Sequence, residues 1–346
     1  MLTRRTFLAV AGAGLFTLLR GATYLDIPIM AQTFSALQTG ILFDNGYSAD
    51  QTNYFAASPF SSWRFTTSTT RVWVKVYTNI YGDYPQWAHI GVRNNGAYLT
   101  TLECAANGVN VFDVAITPGT VEFVTGLQSK PSALEGTYLQ AAYFYGNTPT
   151  TTQQTPSASN RILFYGDSIA VGASATYPTK EGAAVLVRDA FNGSVMVEGW
   201  GYRTLYDDGV DATARQTFST RLAGYAPSRI WLAIGTNDYA LNKWTAANFG
   251  TAYADLLDKL HTDLPSATIF CQSPLIRTTE TANAGGSTLP NYRTQISDAA
   301  AARSSYCTYV EGSTILTTGN LADGVHPTTT GHAIWAAAIK TALGIS

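Results

Sequence analysis

Four short polar stretches of this chain hold residue types that, brought together, can attack a carbonyl carbon. The first is Gly166-Asp167-Ser168-Ile169. A glycine lets the chain turn tightly, which exposes the Ser168 hydroxyl and its backbone N–H near a helix start, where N–H groups point at incoming charge. Asp and Ser in such a turn also serve as ordinary helix caps. The second is Gly235-Thr236-Asn237-Asp238. The Asn237 amide offers two donors. Beside the Ser168 N–H it can hold the oxyanion of a tetrahedral intermediate, a contribution of about 2.7 kcal/mol or more per donor; the same residues also suit a polar turn. The third is Asp323-Gly324-Val325-His326-Pro327. With Asp three residues before His in a loop, the carboxylate can fold back onto Nδ1, fix the tautomer and leave Nε2 for the serine. The fourth, Glu198-Gly199-Trp200-Gly201-Tyr202, has two glycines that permit one more backbone donor. The remaining histidines, His89, His261 and His332, are read as structural.

These stretches need a scaffold that brings residues 168 and 326 together. From residue 159 onward, apolar runs alternate with helical patterns. Strands are expected at 161–165, 194–197, 229–234, 267–271 and 307–311, and helices at 181–191, 217–222, 249–264, 292–304 and 328–343. Apolar strands alternating with helices imply a parallel sheet covered on both faces, and such sheets bind ligands beyond the carboxyl ends of their strands. The serine, two-glycine and asparagine stretches each follow a strand. The histidine stretch precedes the last helix, which Pro327 and Thr328 lead into.

Residues 32–146 have another rhythm. Short runs such as Arg71-Val72-Trp73-Val74-Lys75-Val76-Tyr77 and Thr120-Val121-Glu122-Phe123-Val124 are separated by Asn94-Asn95-Gly96, Asn107-Gly108 and Pro118-Gly119. Asn-Gly between apolar runs is a strong hairpin signal. Many short strands without a helical pattern indicate a β-sandwich or jelly roll. Residues 147–158, rich in Thr and Pro, read as a linker.

In this order, the four stretches resemble the sequence blocks of the SGNH hydrolases, also called GDSL esterases and lipases. The resemblance covers about residues 159–346. The serine, asparagine and histidine blocks match closely. The usual Asn-x-Gly-x-Ser-Gly block is degraded to Val197-Glu198-Gly199-Trp200-Gly201-Tyr202. The resemblance implies a flavodoxin-like three-layer α/β domain without metal or cofactor. It implies Ser168 as nucleophile, His326 as base and Asp323 as its orienting partner. Ser168 N–H, Asn237 and Gly201 would form the oxyanion hole, with Gly199 and the Tyr202 N–H as alternatives to Gly201. A β jelly roll ahead of such a domain resembles bacterial carbohydrate esterases that deacetylate xylan or other polysaccharides. The stretches Ile90 to Gly96 and Gly126 to Pro131 carry that looser likeness. Loop aromatics Tyr81, Tyr84, Trp87 and Tyr202 are candidates for stacking on sugar rings.

Composition narrows the partners. Of the 346 residues, 46% are hydrophobic and 13% charged, which supports packed cores rather than disorder. A net charge of −2 without a basic patch gives nucleic-acid binding no electrostatic footing. Arg4-Arg5 directly before the apolar run from Phe7 to Leu19 has the layout of a twin-arginine export signal, residues 1–31. That run is shorter than the roughly 20 residues a membrane span needs. The expected protein is therefore secreted, periplasmic or at the cell surface, with no stable membrane association once the signal is removed. Cys104, Cys271 and Cys307 form no CxxC pair; they are read as buried small residues, a Cys271–Cys307 bridge being the alternative. The function expected is a serine esterase acting on acetylated carbohydrate or another short-acyl ester. A general carboxylesterase, arylesterase or lipase with the same triad, and a non-catalytic sugar-binding protein, are the competing expectations.

Overall fold

The computed structural model describes residues 42–43, 47–49, 54–56, 62–79, 89–105, 107–126, 136–144, 151–153, 161–191, 194–199, 201–205 and 226–345. Residues 1–31, read as an export signal, the helix expected at 217–222, Tyr81, Tyr84, Trp87 and residues 127–131 lie outside them.

The first half is antiparallel β. Its strands are β1 (Leu42–Phe43), β2 (Tyr47–Ala49), β3 (Tyr54–Ala56), β4 (Ser62–Thr67), β5 (Arg71–Asn79), β6 (His89–Asn94), β7 (Ala97–Glu103), β8 (Asn107–Ala115), β9 (Gly119–Thr125), β10 (Gly136–Phe144) and β11 (Thr151–Gln153). One sheet runs β1-β4-β9-β6-β7 and the other β2-β3-β10-β5-β8. Val72, Val74 and Val76 of β5 meet Ile90, Val92, Val121 and Phe123 of the facing sheet in one core, as period-two alternation requires. Asn95 and Gly96 close the β6–β7 hairpin, both with positive φ (53° and 81°), the backbone of a two-residue primed turn. The other Asn-Gly does not make a hairpin. Asn107 and Gly108 lie inside β8, paired with Asn79 and Thr78, because β7 and β8 belong to different sheets and the chain crosses between them. β11 falls within the stretch read as a linker. It pairs with β4, Thr151 opposite Thr67, so this connection is tied to the sheet.

The second half is a three-layer α/β domain. Strands β12 (Arg161–Gly166), β13 (Ser194–Gly199), β14 (Arg229–Ala233), β15 (Thr268–Gln272) and β16 (Cys307–Val310) are all parallel, in the order β13-β12-β14-β15-β16. That is the doubly wound order of flavodoxin-like sheets, with the direction of winding reversing beside the first strand. The helices are α1 (Pro178–Glu181), α2 (Ala183–Phe191), α3 (Thr236–Ala240), α4 (Ala246–Asp263), α5 (Leu289–Ala301) and α6 (Thr329–Leu343). Successive strand residues serve opposite layers. Leu163, Ile230 and Leu232 pack with Phe249, Tyr253 and Tyr292 of α4 and α5. Ile162, Phe164 and Trp231 pack with Val185, Trp335 and Ile339 of α2 and α6. The helix expected at 181–191 is split, because the backbone at Gly182 is extended (ψ 142°). α4 starts at Ala246, earlier than expected, because the Thr245 side chain caps it by accepting from the Asn248 N–H.

The two halves meet across a buried charged seam. Arg93 of β6 donates to both carboxylate oxygens of Asp189 on α2 at 2.7 and 2.8 Å, and to the Thr179 carbonyl at 3.1 Å. Arg188 of α2 bonds Glu122 of β9 and the Ser62 hydroxyl, and Arg64 bonds the same Glu122. Val124 of β9 joins the core formed by α2 and α6. All three cysteines are free: Cys271 and Cys307 are buried and Cys104 is half-buried. Among the described residues no helix is long and apolar enough to cross a membrane.

Candidate active site

The sheet delivers its polar stretches to one edge. β12 ends at Gly166, and the chain turns at once into a helical turn in which the Ala173 N–H bonds the Ser168 carbonyl at 3.0 Å. Asp167 braces this turn: its Oδ1 accepts from the Ile169 N–H at 2.9 Å. Ser168 is left half-exposed. Its Oγ lies 2.8 Å from His326 Nε2, although 158 residues separate them.

The histidine loop is built to hold that ring. The Ala322 N–H bonds the His326 carbonyl at 2.8 Å, and Leu321 and Pro327 form a β-bridge. Asp323 divides its oxygens between two tasks. Oδ1 accepts from the backbone N–H groups of Val325 (3.0 Å) and His326 (2.8 Å), and Oδ2 lies 2.7 Å from His326 Nδ1. Facing a carboxylate, Nδ1 carries the proton and Nε2 accepts from Ser168. Partial burial pushes the Asp323 carboxyl up, but the His326 backbone and side-chain bonds hold it below its ordinary value. Gly324, at φ 85°, leaves room for Thr278: a Cβ there would come within 2.4 Å of the threonine hydroxyl.

Asn237 enters from the first turn of α3. Its Nδ2 donates to the Arg203 carbonyl at 3.1 Å, which leaves the second amide hydrogen for another acceptor. Asp238 beside it accepts from the Leu205 N–H at 3.1 Å. The turns after β13 and β14 are thus locked together. The Arg203 guanidinium lies over the Tyr165 ring, 3.8 Å from its centre. Gly199 belongs to strand β13, and a Cβ on it would meet the Gly166 and Asp167 carbonyls at 3.1 and 3.2 Å. Close strand packing explains that glycine. Gly201 follows the strand end and is half-exposed. Tyr202 has φ 59°, in the left-handed region, and the residue is 66% exposed.

A cavity of about 20 Å³ beneath the serine turn is lined by Asp167, Ile169, Thr236, Gln272, Leu275 and Trp335. Burial pushes the Asp167 carboxyl up to about 6, with the Ile169 N–H and the charges of His326, Arg203 and Arg277 pulling the other way.

The serine, histidine and aspartate named from sequence therefore form one hydrogen-bonded chain, with Asn237 held by the turn that carries Gly201. The other histidines are placed elsewhere. His332 is buried and donates through Nε2 to the Ala173 carbonyl at 2.9 Å, and His261 stacks on Tyr306. Sequence reading missed Arg203, whose carbonyl orients Asn237, and Arg277, which bonds Thr236 through its Nη1. The only signal for either was position just past a strand end.

Residues 164–334 match the model of the GDSL-like lipase/acylhydrolase family. No curated protein matches the chain. Among solved structures, the chain is similar to the salicylyl-acyltransferase SsfX3 from a tetracycline biosynthetic pathway (15% identity, 88% of this chain and 95% of that one, TM-score 0.72). It is similar to a family two carbohydrate esterase from Clostridium thermocellum in complex with cellohexaose (17%, 88% and 99%, TM-score 0.69). It is also similar to the acetyl xylan esterase Est2A from the rumen bacterium Butyrivibrio proteoclasticus (14%, 88% and 96%, TM-score 0.65). At these identities the likeness is one of fold, and coverage of 88% takes in both halves of the chain.

Proposed function

With residues 164–334 forming a GDSL-like lipase/acylhydrolase domain, that of a carboxylic ester hydrolase, we propose that the chain is an exported serine esterase that removes acetyl groups from xylan or another carbohydrate. The observation that carries the reading is the relay from Ser168 Oγ through the His326 ring to Asp323, with contacts of 2.8 and 2.7 Å. Ser168 Oγ attacks the ester carbonyl as His326 Nε2 takes its proton. The oxyanion is held by Ser168 N–H, Gly201 N–H and the free Asn237 amide hydrogen. Collapse breaks the bond to the alcohol oxygen, which takes the proton from His326. Water then repeats the sequence on the acyl-serine and releases acetate.

Gly201 is preferred to Gly199 because the latter sits inside the strand, against two carbonyls. The preference for sugar rests on Tyr202, an exposed aromatic residue set beside this turn on backbone that costs a non-glycine residue about 1 kcal/mol or more. The leading β domain adds to it. Export rests on the paired arginines before the apolar run at the start of the chain.

The test is a substrate panel. Wild type is expected to release acetate from acetylated xylan and to prefer 4-nitrophenyl acetate to the octanoate, while Ser168→Ala does neither. Equal acetate release by the two proteins removes Ser168 as nucleophile. A clear preference for octanoate overturns the acetyl reading and leaves a longer-chain esterase.

A further inference from the structure

Arg277 lies beside the site and, among the described residues, has no ion-pair partner. It follows β15, on a loop that touches both sides of the triad. Its Nη1 donates to the Thr236 hydroxyl at 2.9 Å and to the Thr236 carbonyl at 3.3 Å, next to Asn237. Its neighbour Thr278 bonds the Gly324 carbonyl through its N–H at 3.0 Å, two residues before His326. The guanidinium rests over the Tyr239 ring, 5.7 Å from its centre. The nearby carboxylates are paired with other side chains, although Glu280 Oε1 also accepts the backbone N–H of Arg277 at 2.9 Å. Both oxygens of Glu280 are taken by Arg293, at 2.6 and 2.7 Å, and Asp323 is committed to His326 and its own loop. Among the described residues, no carboxylate lies within ion-pair distance of Arg277. Its Nε and Nη2 make no hydrogen bond there and are not sealed from solvent.

A half-buried guanidinium fixed at one corner by a threonine, beside the turn that carries Asn237 and with its other donors not sealed from solvent, is a preorganised half of a bidentate pair. We propose that Arg277 selects esters that carry a carboxylate, pairing with it as the acyl group settles against Ser168. The inference rests on the esterase reading and narrows its substrate class. The carboxylate can belong to the alcohol, as in an acetylated uronic acid, or to the acyl group, as in a half-ester of a dicarboxylic acid. Partial burial lowers the Arg277 pKa while Asp167 and Asp323 support its charge, as expected of a cation whose partner arrives with the substrate.

Two matched pairs test this with the full-length protein. One is an O-acetylated methyl uronoside as free acid and as its methyl ester, read by acetate release. The other is 4-nitrophenyl hemisuccinate and its methyl ester, read by nitrophenol release. In one pair, wild type should favour the free acid by about tenfold or more in kcat/KM, chiefly through KM. That identifies which end of the ester carries the anion. Arg277→Gln keeps a donor for Thr236 and should bring the acid-to-ester ratio to about one or below; Arg277→Lys should keep part of it. Should the glutamine variant misfold, wild type alone decides. Its acid preference should shrink as salt rises from about 50 to 500 mM, as a solvent-reached ion pair must. The inference is overturned if wild type shows no acid preference in either pair, if the preference ignores salt, or if Arg277→Gln slows both members of a pair equally. The last result would make Arg277 a brace for the Thr236 turn. Failure on all four substrates would instead count against the esterase reading itself.

Discussion

Glu122 and Asp167 are both buried carboxylates, and their surroundings push them in opposite directions. Glu122 lies in the seam between the halves, with Arg188 and Arg64 on its oxygens. Burial alone would raise its pKa, but the two arginines hold it down to about 2. Asp167 lies under the nucleophile turn with one backbone N–H and a small, mostly apolar cavity, and burial lifts it to about 6. The seam pairs its charges; among the described residues, the site leaves Asp167 and the Arg277 guanidinium without an ion pair. One region is built to hold, and the other keeps unspent interactions for a substrate.

If that contrast is right, Glu122→Ala should cost the most in stability and nothing in chemistry. It strands Arg188, which is buried, and removing one partner of a buried pair costs about 3–5 kcal/mol. Denaturant unfolding should show that loss while kcat/KM at 25 °C stays within about twofold. A matching fall in kcat would mean that the seam positions the site. Asn237→Ala should behave inversely. Loss of an oxyanion donor should lower kcat by about 10²–10³-fold, equivalent to about 2.7–4 kcal/mol in the transition state, and unchanged acetate release would remove Asn237 from that role. The smallest effect belongs to Asp167→Asn and depends on pH. Asp167 holds its proton more tightly folded, at about 6, than at its ordinary 3.8. Its ionisation therefore costs folding stability progressively as pH rises from about 4 to about 6, to a limit of about 3 kcal/mol. The stability of Asp167→Asn relative to wild type should grow over that window. A constant difference from pH 4 to 7 would show that Asp167 does not titrate as its burial implies.

The same contrast governs what the sequence revealed. The Ser168–His326–Asp323 cluster was legible because the serine follows a strand end and the Asp323–His326 pair leads into the last helix, and strands so uniformly apolar announce where they stop. Helix starts were read late. Thr245 and Thr288 cap helices from Ala246 and Leu289, ahead of the apolar periodicity used to find them. The seam was not legible. Arg93 and Asp189 are 96 residues apart, and neither stands in a local pattern that distinguishes it from a solvated charge. β11 was missed because a Thr-rich strand pairing with only one neighbour needs no apolar alternation. Asn107-Gly108 misled because a turn dipeptide cannot say whether the next strand joins the same sheet. Arg277 was invisible for a related reason: a lone cation in a loop acquires meaning only from the carboxylates that are not beside it.

Val124 is contributed by a β9 strand of the first half, yet its side chain is buried in the apolar layer of the second. Flanked by the Arg188–Glu122 and Arg93–Asp189 pairs, it makes the catalytic half an unfinished object when cut away. Recombination that carried only residues 159–346 into another gene would deliver the candidate site's residues with apolar surface uncovered and with Arg188 and Asp189 both stripped of their partners. The first half thus covers surface that the second half cannot bury by itself.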